Sequence, residues 1–216
     1  MKQSCGRPQG APAGCQRDER RRIVIIAKGF TDAERPAIAA LYWEAFGQKL
    51  GRALGPRAKA LRFVAAMLDP THAFCARAND GGLLGVAGFK TRDGALVGGG
   101  FADMARVYGL WGAGWRSALL TLLERDSEDR RFLMDGIFVA PPARGSGVGS
   151  RLLDAIAQEA ALRGYAEVRL DVIDTNIRAR ALYERRGFHA VGTQRMGPLA
   201  LIFGFRSATT MVRRIG

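Results

Sequence analysis

The stretch Val139-Ala140-Pro141-Pro142-Ala143-Arg144-Gly145-Ser146-Gly147-Val148-Gly149 ends an apolar run and leads into a helix-like pattern. Its alternating glycines let the backbone turn sharply and approach a ligand closely. The unsatisfied N–H groups of the helix start make a socket for an anion, above all a pyrophosphate. The competing reading is a tight strand–helix connection with incidental glycines. A P-loop is excluded, because Gly149-Ser150 lacks the preceding lysine. A dinucleotide-binding loop fits badly. Its third glycine comes one residue early, Ser150 takes the sixth place, and only 67 residues remain for further strands. Asp171 nevertheless mimics a ribose-binding acid in position.

A second group lies downstream. Asn176 and Tyr183 stand two helical turns apart with Ala179 between them, so an amide, a small residue and a phenol share one face. A small residue admits a ligand, and a phenol can donate a proton. The plainer alternative has Asn176 capping the helix and Tyr183 packing in the core.

These residues need elements to hold them. The β-branched run Ile23–Ile26 predicts a first strand. Thr31, three residues before Glu34, predicts a capped helix carrying Ile38, Leu41, Tyr42, Ala45 and Phe46, with Pro36 in its first turn. A second helix is expected over Arg57–Leu68. Strands His72–Ala78 and Leu83–Thr91 are joined by Asn79-Asp80-Gly81-Gly82, a hairpin signal. Residues 92–130 read as an insertion or lid with helices Phe101–Leu110 and Trp115–Arg125. Then come strand Phe132–Val139, helix Val148–Arg163, strand Glu167–Ile173, a helix from Thr175 or Asn176 to Arg186 stopped by Gly187, and strands near Phe188–Arg195 and Ala208–Ile215.

The chain has 216 residues and a formal net charge of +13. Residues 1–22 hold six basic residues against two acidic ones and almost no large apolar side chains, so they are expected to be a flexible basic tail. Residues 23–216 are expected to form a single domain. The basic residues are 28 Arg and five Lys. That bias suits an anionic ligand, yet no nucleic-acid-reading motif accompanies it, so no specific nucleic-acid partner is expected. Cys5, Cys15 and Cys75, with only His72 and His189 as companions, show no metal-ligand spacing, so no metal is assigned. The stretch Gly94–Gly114 is broken by Asp103 and Arg106, which argues against a membrane span. A cytoplasmic protein is expected.

Arg144-x-x-Gly147-x-Gly149, preceded by Val139-x-Pro141, resembles the cofactor motif of the GCN5-related N-acetyltransferase (GNAT) superfamily. Asn176-x-x-Ala179-x-x-Leu182-Tyr183-Glu184-x-x-Gly187-Phe188 is similar to that superfamily's second block, in the expected order. The resemblance is clear over about residues 130–190, extends back to Ile23, is weak in 92–130 and absent from the tail. It implies an α/β (α+β) fold with a mixed, mostly antiparallel sheet, splayed parallel strands and flanking helices.

It further implies acetyl-CoA as cosubstrate and transfer of the acetyl group to a primary amine of a small molecule or peptide. The pantetheine arm would lie on Ile137, Phe138 and Val139, with the pyrophosphate on Arg144, Gly145, Ser146, Gly147, Val148 and Gly149. Asn176 and Ala179 would flank it. A backbone N–H of Phe138 or Val139 would polarise the thioester carbonyl, Tyr183 would be the acid, and Asp171 or Asp135 the base. Trp111 and Trp115, and the Met196 and Phe203–Phe205 regions, are candidates for covering or shaping the acceptor pocket. Arg178 and Arg180 are candidates for the 3′-phosphate. A non-catalytic acyl-CoA sensor or interaction module is the alternative function, and a homodimer stays open.

Overall fold

The computed structural model describes residues 24–121 and 131–216; the expected tail 1–22 and the segment 122–130 lie outside them. Seven strands form one sheet: β1 (Ile25–Lys28), β2 (Ala73–Arg77), β3 (Leu83–Lys90), β4 (Arg131–Val139), β5 (Glu167–Ile173), β6 (His189–Arg195) and β7 (Ser207–Arg214). Their order is β1-β2-β3-β4-β5-β7-β6. Every neighbouring pair is antiparallel except β4 and β5.

That parallel pair is short. Arg131, Phe132 and Leu133 pair with Glu167, Val168 and Arg169, and pairing then stops. Beyond Leu133 the two strands part, and the gap between them opens one edge of each to a ligand. On the other side of β4, Gly88 pairs with Gly136 while Phe89 pairs with Met134. Asp135 is therefore the extra residue of a β-bulge, a feature that re-aims a side chain and adds twist.

Each face of the sheet carries its own core. Side chains alternate along a strand, so Val168, Leu170 and Val172 of β5 pack with helices α4 (Val148–Leu162) and α5 (Ile177–Arg185) through Leu152, Leu153, Ile156 and Tyr183. The opposite face packs Cys75, Val86 and Phe138 against α1 (Arg35–Leu54), α2 (Arg57–Met67) and α3 (Phe101–Thr121). The Thr31–Glu34 capping box precedes α1, with the Thr31 N–H donating to Glu34 Oε2 at 2.8 Å. A four-residue helix, α6 (Ala200–Phe203), lies between β6 and β7.

The two helices expected after residue 100 are present and meet at Gly109, whose non-helical φ 75°, ψ 165° kinks α3 between them. The second starts earlier than the expected Trp115, and the end expected at Arg125 lies outside the described residues. Met104 and Ala113 are buried with α1 and α2, so α3 is part of the second core rather than a separate lid. No helix among the described residues is long and apolar enough to cross a membrane.

Ahead of α3, residues 91–99 are clamped. His72 is buried; its Nδ1 lies 2.9 Å from Asp69 Oδ2 and its Nε2 lies 3.0 Å from Thr91 Oγ1. The Asp69 N–H donates to the Leu96 carbonyl and the Gly98 N–H to the Met67 carbonyl. A Cβ on Gly94 would come within 2.9 Å of the His72 ring, so only glycine lets this turn close.

Candidate active site

The gap between β4 and β5 opens on a cavity of ≈ 430 Å³. Asp135 and Ile137 of β4, Asp171 of β5, and Asn176 and Tyr183 at α5 all line it. Residues expected from separate motifs thus share one space. Phe138 does not line it: its ring is buried against Tyr42 and Phe46 of α1, with centroids 5.8 and 6.1 Å away. Ala179 is half-buried on α5 and stands outside the lining.

Tyr183 is held from two directions. The Phe188 N–H donates to the Tyr183 carbonyl at 3.0 Å, and the Gly187 N–H donates to the Glu184 carbonyl at 3.1 Å. This is a Schellman closure, made possible by Gly187 at φ +82°. Burial holds the Tyr183 phenol well above the usual tyrosine range. Asn176 caps α5, accepting the Ala179 N–H at 3.2 Å, so the plainer reading of that residue holds while it also lines the cavity.

The two carboxylates differ. Thr210 Oγ1 donates to Asp171 Oδ1 at 2.5 Å, and the Arg169 guanidinium lies 3.7 Å from Asp171 Oδ2. Asp135 stands on the bulge facing Tyr42. Burial, and secondarily the Asp135 charge, push the Tyr42 phenol far above its ordinary range.

At the far end of β4, the Ala140 N–H donates to the Leu84 carbonyl at 2.8 Å. Alternation along an antiparallel strand then points the Phe138 amide at β3 and the Ile137 and Val139 amides into the gap. Gly145 and Gly147 both take left-handed backbone, φ +83° and +86°. The Arg144 N–H donates to Pro141 and the Ser146 N–H to Ala143, whereas those of Gly145, Gly147, Val148 and Gly149 have no hydrogen-bond partner among the described residues. Four amides therefore converge at the start of the 15-residue helix α4, the donor set an anion requires. The Arg144 side chain braces this loop: its Nε donates to the Val139 carbonyl at 3.1 Å and its Nη2 to Glu44 Oε1 at 2.6 Å.

Gly149 has a different duty. A Cβ there would sit 3.0 Å from Leu182 Cδ2, so its small size lets α4 approach α5.

Family membership rests on more than this geometry. Residues 35–188 match the model of the acetyltransferase (GNAT) family. The chain belongs to that family. A bovine (Bos taurus) thialysine N-epsilon-acetyltransferase is 38% identical over 58 residues, which is 27% of this chain and 34% of that protein. The pig (Sus scrofa) protein of the same name is 36% identical over 58 residues. The match thus spans about a third of these curated relatives' length. Among solved structures, one acetyltransferase superposes with TM-score 0.57 at 20% identity, covering 89% of this chain and all of the other. A GCN5-related N-acetyltransferase from Kribbella flavida superposes at 0.56 and 18%, covering 88% of this chain and 97% of that one. At that identity the likeness establishes the GNAT fold.

Against the GNAT fold, some expectations shift. Trp111 is 94% and Trp115 49% exposed, and neither lines the cavity. Met196 and Phe205 do line it, as expected of the segment between the last strands. Arg180 pairs with Glu184 along α5 at 2.9 Å. Three polar cavity residues escaped the sequence reading: Tyr42, Lys90 and Gln194. Tyr42 sat in an apolar helix stripe, where a phenol among Ile, Leu, Ala and Phe was its only signal. Lys90 is one of just five lysines in an arginine-dominated chain. Gln194 carried no signal.

Proposed function

We propose that this protein is an acetyl-CoA-dependent N-acetyltransferase that moves an acetyl group directly to a primary amine of a small molecule or peptide. One observation carries the reading. The gap between β4 and β5 joins four unbonded loop amides at one end to a cavity holding Tyr183, Asp135 and Asp171 at the other. When bound, acetyl-CoA would supply an acyl group activated as a thioester.

The residues present fit such a cosubstrate. The amides of Gly145, Gly147, Val148 and Gly149 suit a pyrophosphate, with Ser146 and the Arg144 brace completing the loop. Ile137 and Val139 offer backbone groups to an extended amide-bearing arm, Phe138 keeps the strand anchored, and Asn176 faces them across the cavity, with Ala179 behind it on α5. The Val139 N–H faces the gap and is suited to stabilise a carbonyl oxygen. Tyr183 keeps its proton on Oη through neutral pH, as an acid must. Asp135 or Asp171 can take a proton from the amine.

The test is release of free CoA thiol from acetyl-CoA across an amine panel, with a thermal-shift assay for acetyl-CoA alone. Turnover supports the reading. Stabilisation by acetyl-CoA with no turnover on any amine favours the acyl-CoA sensor instead.

A further inference from the structure

The cavity has two unlike halves. Leu50 and Leu54 of α1, Phe63 of α2, Val97 and Met104 form an apolar pocket. Beside it stand charged groups on the strands: Asp135 on β4, Asp171 on β5, and Lys90 at the end of β3. Lys90 is the unexplained one. No carboxylate lies within ion-pair distance of its Nζ among the described residues, although its side chain lines the cavity. A cation placed there without a protein counter-ion is matched to an anion that arrives with the ligand.

That anion is not a cosubstrate phosphate. Lys90 pairs with Leu133, whereas the phosphate-type loop follows Val139. Six strand residues separate the two points, roughly 20 Å at about 3.3 Å per residue. Lys90 serves the acceptor end. Asp135, the bulge residue two positions beyond Leu133 on β4, lies close to the same rung and lines the same cavity as Lys90. A molecule carrying an amine and a carboxylate on one carbon sets each charge against its opposite.

We infer that the acceptor is an aminocarboxylate with an apolar side chain, such as an aliphatic or aromatic α-amino acid; this rests on the acetyl-transfer reading. Its carboxylate meets Lys90, its amine faces Asp135, and its side chain enters the Leu54–Phe63–Met104 pocket. In the transfer, the carboxylate at the site first takes one proton from the ammonium. The freed amine nitrogen then forms the new N–C bond as the thioester C–S bond breaks. Tyr183 protonates the departing sulfur, and the second proton lost from nitrogen restores the Tyr183 phenol. A polyamine would bring a second cation against Lys90, and a simple monoamine would leave Lys90 unmatched.

The experiment compares kcat/KM for L-leucine and L-phenylalanine with their decarboxylated counterparts, isopentylamine and phenethylamine, and with spermidine, in the wild type and in Lys90→Met and Lys90→Arg. The amino acids are expected to lead by at least tenfold, the lead to collapse towards one in Lys90→Met, and Lys90→Arg to restore it. Circular dichroism verifies that each variant is folded. Equal or better turnover of the decarboxylated amines or spermidine overturns the inference while leaving acetyl transfer intact, as does a preference that survives Lys90→Met. Absence of both acetyl-CoA stabilisation and thiol release overturns the acetyl-transfer reading, and the inference with it.

Discussion

The Phe188 N–H donates to the Tyr183 carbonyl at 3.0 Å while the two rings pack with centroids 5.9 Å apart. One short closure thus fixes both the backbone and the ring of the proposed acid. Tyr183→Phe is expected to lower kcat by about a hundredfold or more while acetyl-CoA affinity stays within about twofold. Because the phenol is held above its ordinary range, wild-type kcat should show no loss from tyrosine ionisation up to about pH 10. A kcat–pH profile of the two proteins checks both points. Gly187→Ala should loosen the closure: no atom lies within 4 Å of the added Cβ, so its effect is strain at φ +82°, about 1–2 kcal/mol of stability.

Gly145 and Gly147 separate conformation from crowding in the same way. Neither added Cβ would meet an atom within 4 Å, yet both residues have positive φ. Alanine at Gly147 is expected to raise KM for acetyl-CoA about tenfold, the equivalent of roughly 1.4 kcal/mol of strain, with kcat nearly unchanged. Initial-rate kinetics at varied acetyl-CoA read this directly.

Arg144 is predicted to act through the loop's position. Arg144→Gln removes both its bond to Val139 and its pair with Glu44, and should raise KM for acetyl-CoA about fivefold. Glu44→Gln keeps the Val139 bond, and the pair it weakens is half exposed, so its effect should stay below about twofold. Equal effects of the two substitutions would mean that the ion pair, and not the bond to Val139, holds the loop.

Acid stability should report on Glu34. Hydrogen bonds from Arg77, at 2.7 and 2.9 Å, together with those from Thr31, hold its carboxyl down to about 2 against partial burial. A depressed carboxyl stabilises the fold above its unfolded value, near 4.3, and that contribution is lost as pH falls towards 2. Allowing for partial exposure, the contribution is about 2 kcal/mol. Urea midpoints between pH 7 and pH 2.5 should fall less steeply for Glu34→Gln than for the wild type.

His72→Ala removes a ring that bridges Asp69 and Thr91 beneath the turn leading to the cavity. The void and the buried hydroxyl left without its ring partner should cost about 2–4 kcal/mol. Hydrogen exchange at residues 95–99 should rise more than at β5. Uniform exchange over the chain would count against a local clamp.

The sequence by itself determined the elements and the loop. β5 occupies the expected Glu167–Ile173, Asn176 caps α5, and Gly147 and Gly187 turn where only glycine turns freely. Caps, alternation and positive-φ positions act within about four residues, so they can be read along the chain. The tertiary structure alone decided that β4 and β5 part after three pairs, that Asp135 stands on a bulge, and that α3 joins a core. It alone brought Tyr42 and Lys90 to the cavity that Asp135 and Tyr183 share. Those outcomes depend on strand register and helix packing between segments far apart in sequence. Registry of that kind is set by which faces can be buried together, and no local pattern carries it.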